Sequence, residues 1–159
     1  FQPIAGFSYG AKKFDRLREA IKTSIIWSTS FCLVVGLVMA VFSTQIISQF
    51  TKGDTQMILV GQKSLFANGI TFILFGFYTV YSSLFLALGK GAAGFFLGAC
   101  RQGVCFVPVI LLLPMVWGMN GILYAQPIAD IISVVITLFM AIHLHKEISI
   151  AESRTKTIT

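Results

Sequence analysis

Between Arg101 and Asp130 the chain carries 28 residues with no Asp, Glu, Lys, Arg or His. Roughly 20 apolar residues let a helix cross ~30 Å of hydrocarbon, so a run of this length is a membrane signal. It is too punctuated for a single span. Pro108, Pro114 and the turn Gly118-Met119-Asn120-Gly121 break it, and the run reads as two helices forming a hairpin in lipid. Arg101 falls in the first of these helices and Asp130 in the second. Polar groups at that depth are costly, so a function has to account for them.

Only 11% of the 159 residues are charged and 56% are hydrophobic, whereas a soluble domain carries about 25% charged residues. The fold class expected is an all-α integral membrane protein, a polytopic helix bundle embedded in a lipid bilayer. Charge placement marks its spans. Lys22 and Lys52 enclose 29 uncharged residues, Lys63 and Lys90 enclose 26, and Lys90 and Arg101 enclose ten more that lengthen the hairpin's first arm. Four transmembrane helices are expected, over 23–51, 64–89, 91–115 and 120–143. Before them come the end of an earlier helix with its loop (1–11) and a basic amphipathic segment (12–22) in which Phe14, Leu17 and Ile21 recur at helical spacing. That segment can lie on the membrane interface, and residues 144–159 are expected to be a cytoplasmic tail.

The connecting segments alternate sides of the bilayer. Lys12, Lys13, Arg16, Arg18, Lys22, Lys90, Arg101, Lys146, Arg154 and Lys156 fall on one side, against Lys52 and Lys63 on the other. Lys/Arg bias sets orientation, so the richer side is expected to be cytoplasmic and both ends of the chain to lie inside. Topology thus accounts for the net charge of +6, and no nucleic-acid partner is needed to explain it. The chain opens at Phe1 with no charged leader, which reads as the C-terminal piece of something longer. Cys32, Cys100 and Cys105 are odd in number and all sit in apolar runs, so buried thiols are expected rather than a disulfide framework.

The run Gln2-Pro3-Ile4-Ala5-Gly6-Phe7-Ser8-Tyr9-Gly10-Ala11-Lys12-Lys13, followed by Arg16, resembles the inter-helix motif of the multidrug and toxic compound extrusion (MATE) family. Gly89-Lys90-Gly91, Arg101-Gln102-Gly103, Pro108, Leu113-Pro114, Gly118, Asn120-Gly121 and Ala125-Gln126-Pro127-Ile128-Ala129-Asp130 resemble the last hairpin of that family's second lobe. The resemblance extends over nearly the whole chain. It implies a twelve-helix, two-lobe transporter of which this chain holds the last four spans, with the N-terminal lobe outside it. It further implies antiport of organic cations against H+ or Na+, without a cofactor, by alternating access. In one respect the chain departs from the family. Some members carry a coupling carboxylate on the helix corresponding to 64–89, and that stretch here has no Asp or Glu, which moves coupling toward acidic residues of the N-terminal half.

Candidate site residues follow from helical spacing. Asn68, Thr71, Phe75, Tyr78 and Ser82 recur at steps of three and four and share one helix face. Such a stripe is costly against lipid and should face the bundle or a wet cavity. As a substrate-binding surface it would offer the π faces of Phe75 and Tyr78 to an organic cation; as a structural one it would make interhelical hydrogen bonds. Asp130, the one carboxylate inside a span, is the ion-coupling candidate, with interhelical bonding as the alternative. Pro108 and Pro127 remove backbone donors and are hinge candidates. Gly36-xxx-Ala40, Gly94-xxx-Gly98 and Ala99-xxx-Gly103 present small residues for close helix packing. Arg101 is expected to snorkel toward the cytoplasmic rim as an anchor.

His143 and His145 lack a third ligand nearby, so no metal site is assigned. Nothing in the chain pairs a nucleophile with a base, and an enzyme has no residues to rest on. The reading is a secondary active multidrug efflux transporter. A lipid-linked precursor flippase of related fold and a non-transporting membrane scaffold remain as alternatives.

Overall fold

The computed structural model describes residues 1–50 and 55–158. Seven α-helices follow one another: α1 (Gln2–Gly10), α2 (Phe14–Val41), α3 (Ser43–Phe50), α4 (Thr55–Ala87), α5 (Gly91–Ala99), α6 (Phe106–Trp117) and α7 (Met119–Ile158). A π-helical turn, Cys100–Val104, joins α5 to α6, so that Gly91–Trp117 acts as one broken span. Together with α2, α4 and α7 it makes four helices long and apolar enough to cross a membrane. The turns between them depend on backbone freedom. Gly89 (φ 75°) ends α4, with the amide of Lys90 donating to the Phe85 carbonyl at 2.9 Å, and Gly118 (φ 56°) separates α6 from α7.

The long α4 is the spine of the bundle, packing against α1, α2, α3, α5 and α7. Its contact with α2 is a backbone-to-backbone approach. A Cβ added at Gly36 would come within 2.4 Å of the Gly69 carbonyl oxygen, and one at Gly76 within 2.8 Å of the Thr29 backbone. Ser28 uses the proximity to donate to the Gly76 carbonyl at 3.3 Å. Small residues substitute here for the hydrophobic drive that lipid removes. The Gly36-xxx-Ala40 pair therefore sits at a real contact. Of the other small-residue pairs, a Cβ at Gly94 would come within 2.6 Å of the Leu86 side chain, but one at Gly98 or Gly103 would meet nothing within 4 Å. Large apolar side chains such as Trp27, Phe31, Met115 and Phe139 point outward, as a lipid-facing surface requires.

Three expected segments differ. Residues 12–22 do not form a separate interfacial helix: α2 starts at Phe14 and runs unbroken to Val41. Phe14, Leu17 and Ile21 are buried in a core with Tyr81, Leu84, Leu144 and Ile148 rather than laid against lipid headgroups. The segment after residue 143 is not separate from the last span, because α7 continues to Ile158 and buries Leu144 and Ile148 in that same core. Two ion pairs clasp it: Arg18 to Glu152 at 2.7 Å, and Lys90 to Glu147. The connection between the expected helices 23–51 and 64–89 is helical from Thr55 onward, while 51–54 lie outside the described residues.

The glycine contact carries a contrast that can be measured. Gly36→Val should lower the thermal midpoint in detergent, costing about 1–3 kcal/mol through overpacking. Gly98→Ala should stay within about 0.5 kcal/mol of the parent, being a surface change with open space around it. Equal effects at the two positions would remove Gly36 from the packing account.

Candidate functional site

Arg101 lies ten residues into the broken span and Asp130 eleven residues into α7. At 1.5 Å per residue these positions are ~15–17 Å from the helix starts, well inside the ~30 Å of hydrocarbon. They meet there. Arg101 Nε donates to Asp130 Oδ1 at 2.8 Å and its terminal nitrogen to Oδ2 at 3.4 Å, a fork-to-carboxylate geometry. Gln126, one turn earlier on α7, donates to the same Oδ1 at 3.0 Å. Asp130 is 8% exposed. An unpaired charge at the membrane centre costs about 2.5–3.5 kcal/mol on the insertion scale, and mutual neutralisation removes most of that burden. Arg101 is thus not an anchor snorkelling to the rim. Its stem cannot reach the interface from that depth, and a carboxylate is nearer, so nine of the ten basic residues first grouped together belong to that end of the bundle.

The aromatic stripe holds the same guanidinium. Arg101 stacks over the Phe75 ring with Cζ 4.5 Å from its centroid. Phe75 in turn stacks between Phe72 (5.4 Å) and Tyr78 (6.1 Å). The face of Phe75 offered to a substrate cation in the sequence reading is covered by a cation of the protein. Tyr78 is buried, and its hydroxyl donates to the Leu97 carbonyl at 2.6 Å, fixing α4 to the end of α5. Ser82 lies beside that hydroxyl. Thr71 bonds carbonyls of its own helix, those of Ala67 and Asn68. Between Thr71, Phe75, Tyr78, Arg101, Asp130, Ser133 and Val134 only about 10 Å3 stays open, room for about one water.

Asn68 stands apart from these. It donates to the Ser64 carbonyl at 2.8 Å and borders a cleft of about 390 Å3 whose wall includes Met39, Ile47, Ser64, Leu65 and Phe72. Arg101 and Asp130 also line that cleft. Its size falls in the range of small-molecule sites, about 300–1,000 Å3. The structure therefore divides the stripe: Asn68 faces open volume, while Thr71, Phe75 and Tyr78 pack the wall behind the ion pair.

The break in the third span lies one turn before Pro108. Cys100–Val104 is wound as a π-turn in which the Cys105 amide donates to the Cys100 carbonyl at 2.8 Å, and Pro108 follows in the first turn of α6, where its missing donor is tolerated. Cys100 and Cys105, five residues apart, come onto one side with Sγ atoms 3.0 Å from each other. Arg101 is the second residue of that turn. α7 passes through Pro127 as one continuous helix. Gln126 and the π-turn were missed from sequence. The signal for the pairing itself was present, since Arg101 and Asp130 bound the same uncharged run with opposite signs.

Known proteins share this arrangement of helices. An inward-facing multidrug resistance MATE family transporter of the MOP superfamily matches 96% of the chain at TM-score 0.81 and 17% identity, the chain covering 35% of it. An outward-facing one matches 96% at TM-score 0.82 and 18% identity, with 34% of it covered. The multidrug export protein MepA of Staphylococcus haemolyticus (strain JCSC1435) is 21% identical over 148 residues, which is 93% of this chain and 32% of MepA. The chain thus spans about a third of the length of the proteins it matches. The profile of the MatE family matches residues 1–112, and with four apolar spans in the same fold the chain belongs to the MatE family of membrane proteins.

Proposed function

We propose that this chain forms the C-terminal part of a secondary active multidrug efflux transporter, which exports organic cations in exchange for H+ or Na+ by alternating access. The observation that carries the reading is the Arg101–Asp130 pair in the wall of an open intramembrane cleft. A scaffold has no need for ionised groups there, and a pair can exist in two arrangements. With Asp130 ionised, Arg101 is held between it and Phe75. Protonation of Asp130, or a cation beside it, weakens the carboxylate's hold and frees the guanidinium, which changes the charge the cleft presents. Differential binding of an ion to the two arrangements is what coupling requires.

Two further observations support the reading. The likeness to an inward-facing and to an outward-facing transporter is equally close, as suits a block that moves as a rigid body. A paired, near-neutral cleft also suits lipophilic cations better than the phosphates of a lipid-linked precursor, whose flippase would want unpaired bases. On the same proposal the end bearing Lys12, Lys90 and Arg154 faces the cytoplasm, following the Lys/Arg bias. The transport path lies between this part and the N-terminal lobe, so the 159 residues alone should not transport.

The decisive experiment is efflux of a fluorescent organic cation from cells expressing the full-length transporter, with the proton gradient collapsed and sodium varied separately. Loss of efflux with one gradient supports antiport and names the ion; efflux indifferent to both sinks it.

A second test separates coupling from architecture. Asp130→Asn and Arg101→Gln should each lower stability, because removing one partner of a buried pair costs about 3–5 kcal/mol. The double variant should recover most of that loss while efflux stays absent. If the double variant regains ion-dependent efflux, the pair only holds the bundle together.

A further inference from the structure

At the end of the bundle away from the cleft, the α1–α2 turn, the α4–α5 turn and the last turns of α7 converge on a groove of about 680 Å3. Lys12, Lys90 and Arg154 line it, with Glu147 as its carboxylate and Phe14 and Ile150 among its apolar side chains. Glu147 bonds Lys90, so those two charges cancel. Among the described residues neither Lys12 nor Arg154 makes a salt bridge; Asp15 and Glu152 line an adjoining groove with Lys12, and Glu152 is held by Arg18.

The backbone at Lys12 is the second observation. Lys12 has φ 55° and is the one non-glycine with positive φ among the described residues. It ends α1, where Lys12 N–H donates to the Tyr9 carbonyl at 3.1 Å and Lys13 N–H to the Ser8 carbonyl at 2.9 Å. Glycine is the residue that suits such a helix end, and the two other turns with positive φ use it, Gly89 and Gly118. A side chain there costs about 1–2 kcal/mol. A strained conformation that the sequence could relieve with glycine points to work done by the side chain.

The level fits a headgroup. Glu147 lies 28 residues past Met119 along α7, and Phe14 lies 27 residues before Val41 along α2. These are ~41–42 Å, the span of a bilayer with its headgroups included (about 40–45 Å).

We propose that this groove is a binding site for an anionic phospholipid, with Lys12 and Arg154 on the headgroup phosphate and the glycerol and acyl chains along the Ile150 side. Basic pockets between transmembrane helices on the cytoplasmic side take such headgroups, and the exposed apolar wall favours a lipid over a free phosphate. Bound there, one lipid bridges the α1–α2 turn and the end of α7.

The test uses the protein in vesicles of phosphatidylcholine with and without phosphatidylglycerol, following thermal unfolding and the lipid retained in native mass spectra. Phosphatidylglycerol should raise the midpoint by about 2–4 °C and be retained as one bound molecule. Lys12→Gly with Arg154→Gln should bind it about 30-fold more weakly, from two basic side chains lost. In pure phosphatidylcholine that variant should unfold no earlier than the parent, since glycine relieves the turn. Arg154→Gln alone, at an exposed position, should weaken binding about fivefold. Equal midpoints in the two lipids, full retention by the double variant, or the same gain from inorganic phosphate in phosphatidylcholine vesicles would each overturn the site.

Discussion

A charge in hydrocarbon must be neutralised where it stands, and the core of this structure is arranged around that constraint. Arg101 and Asp130 sit deep within the spans on neighbouring helices, and neither side chain is long enough to reach the membrane surface. The forked contact answers the charge, Gln126 answers a remaining lone pair, and the Phe75 ring covers the guanidinium's face. To bring Arg101 to that point the third span is broken into α5, a π-turn and α6. Tyr78 holds the near end of the break through the Leu97 carbonyl. Removing Arg101, Asp130 or Tyr78 takes a hydrogen-bond partner from a polar group inside the bundle.

The rest of the bundle obeys a different rule. Away from the ion pair, helices adhere because small residues let their backbones touch: Gly36 on Gly69, and Gly76 on Thr29. At the Lys12 end, where water returns, contacts become those of a soluble core, with Leu17, Leu84, Leu144 and Ile148 buried together and ion pairs on their rim. Tyr81 and His145 bridge the zones by a 2.8 Å hydrogen bond between α4 and α7. One chain thus uses close glycine packing in lipid and hydrophobic burial at the interface.

Much of the fold is legible in the residues. Uncharged runs mark four spans because lipid excludes charge over a fixed thickness, and Gly118 marks the hairpin because only glycine takes its backbone angles easily. Less legible were the ends of the spans. A basic stretch such as 12–22 reads as interfacial until α7 is known to continue beside it and bury Phe14, Leu17 and Ile21. Helical spacing put Asn68, Thr71, Phe75, Tyr78 and Ser82 on one face but was silent on what that face meets. Only Asn68 opens on the cleft; Phe75 faces a cation of the protein itself.

What the sequence by itself determined was membrane class, span number and the presence of two opposite charges in the apolar region, since these follow from composition and one-dimensional spacing against a bilayer of known thickness. Tertiary structure alone decided that the charges are partners. Helix rotation, the π-turn and the crossing of the third span with α7 set which side chains meet, and those depend on contacts far apart in the chain. A change of one residue in helix register rotates a side chain by about 100°, enough to turn Arg101 from Asp130 toward lipid.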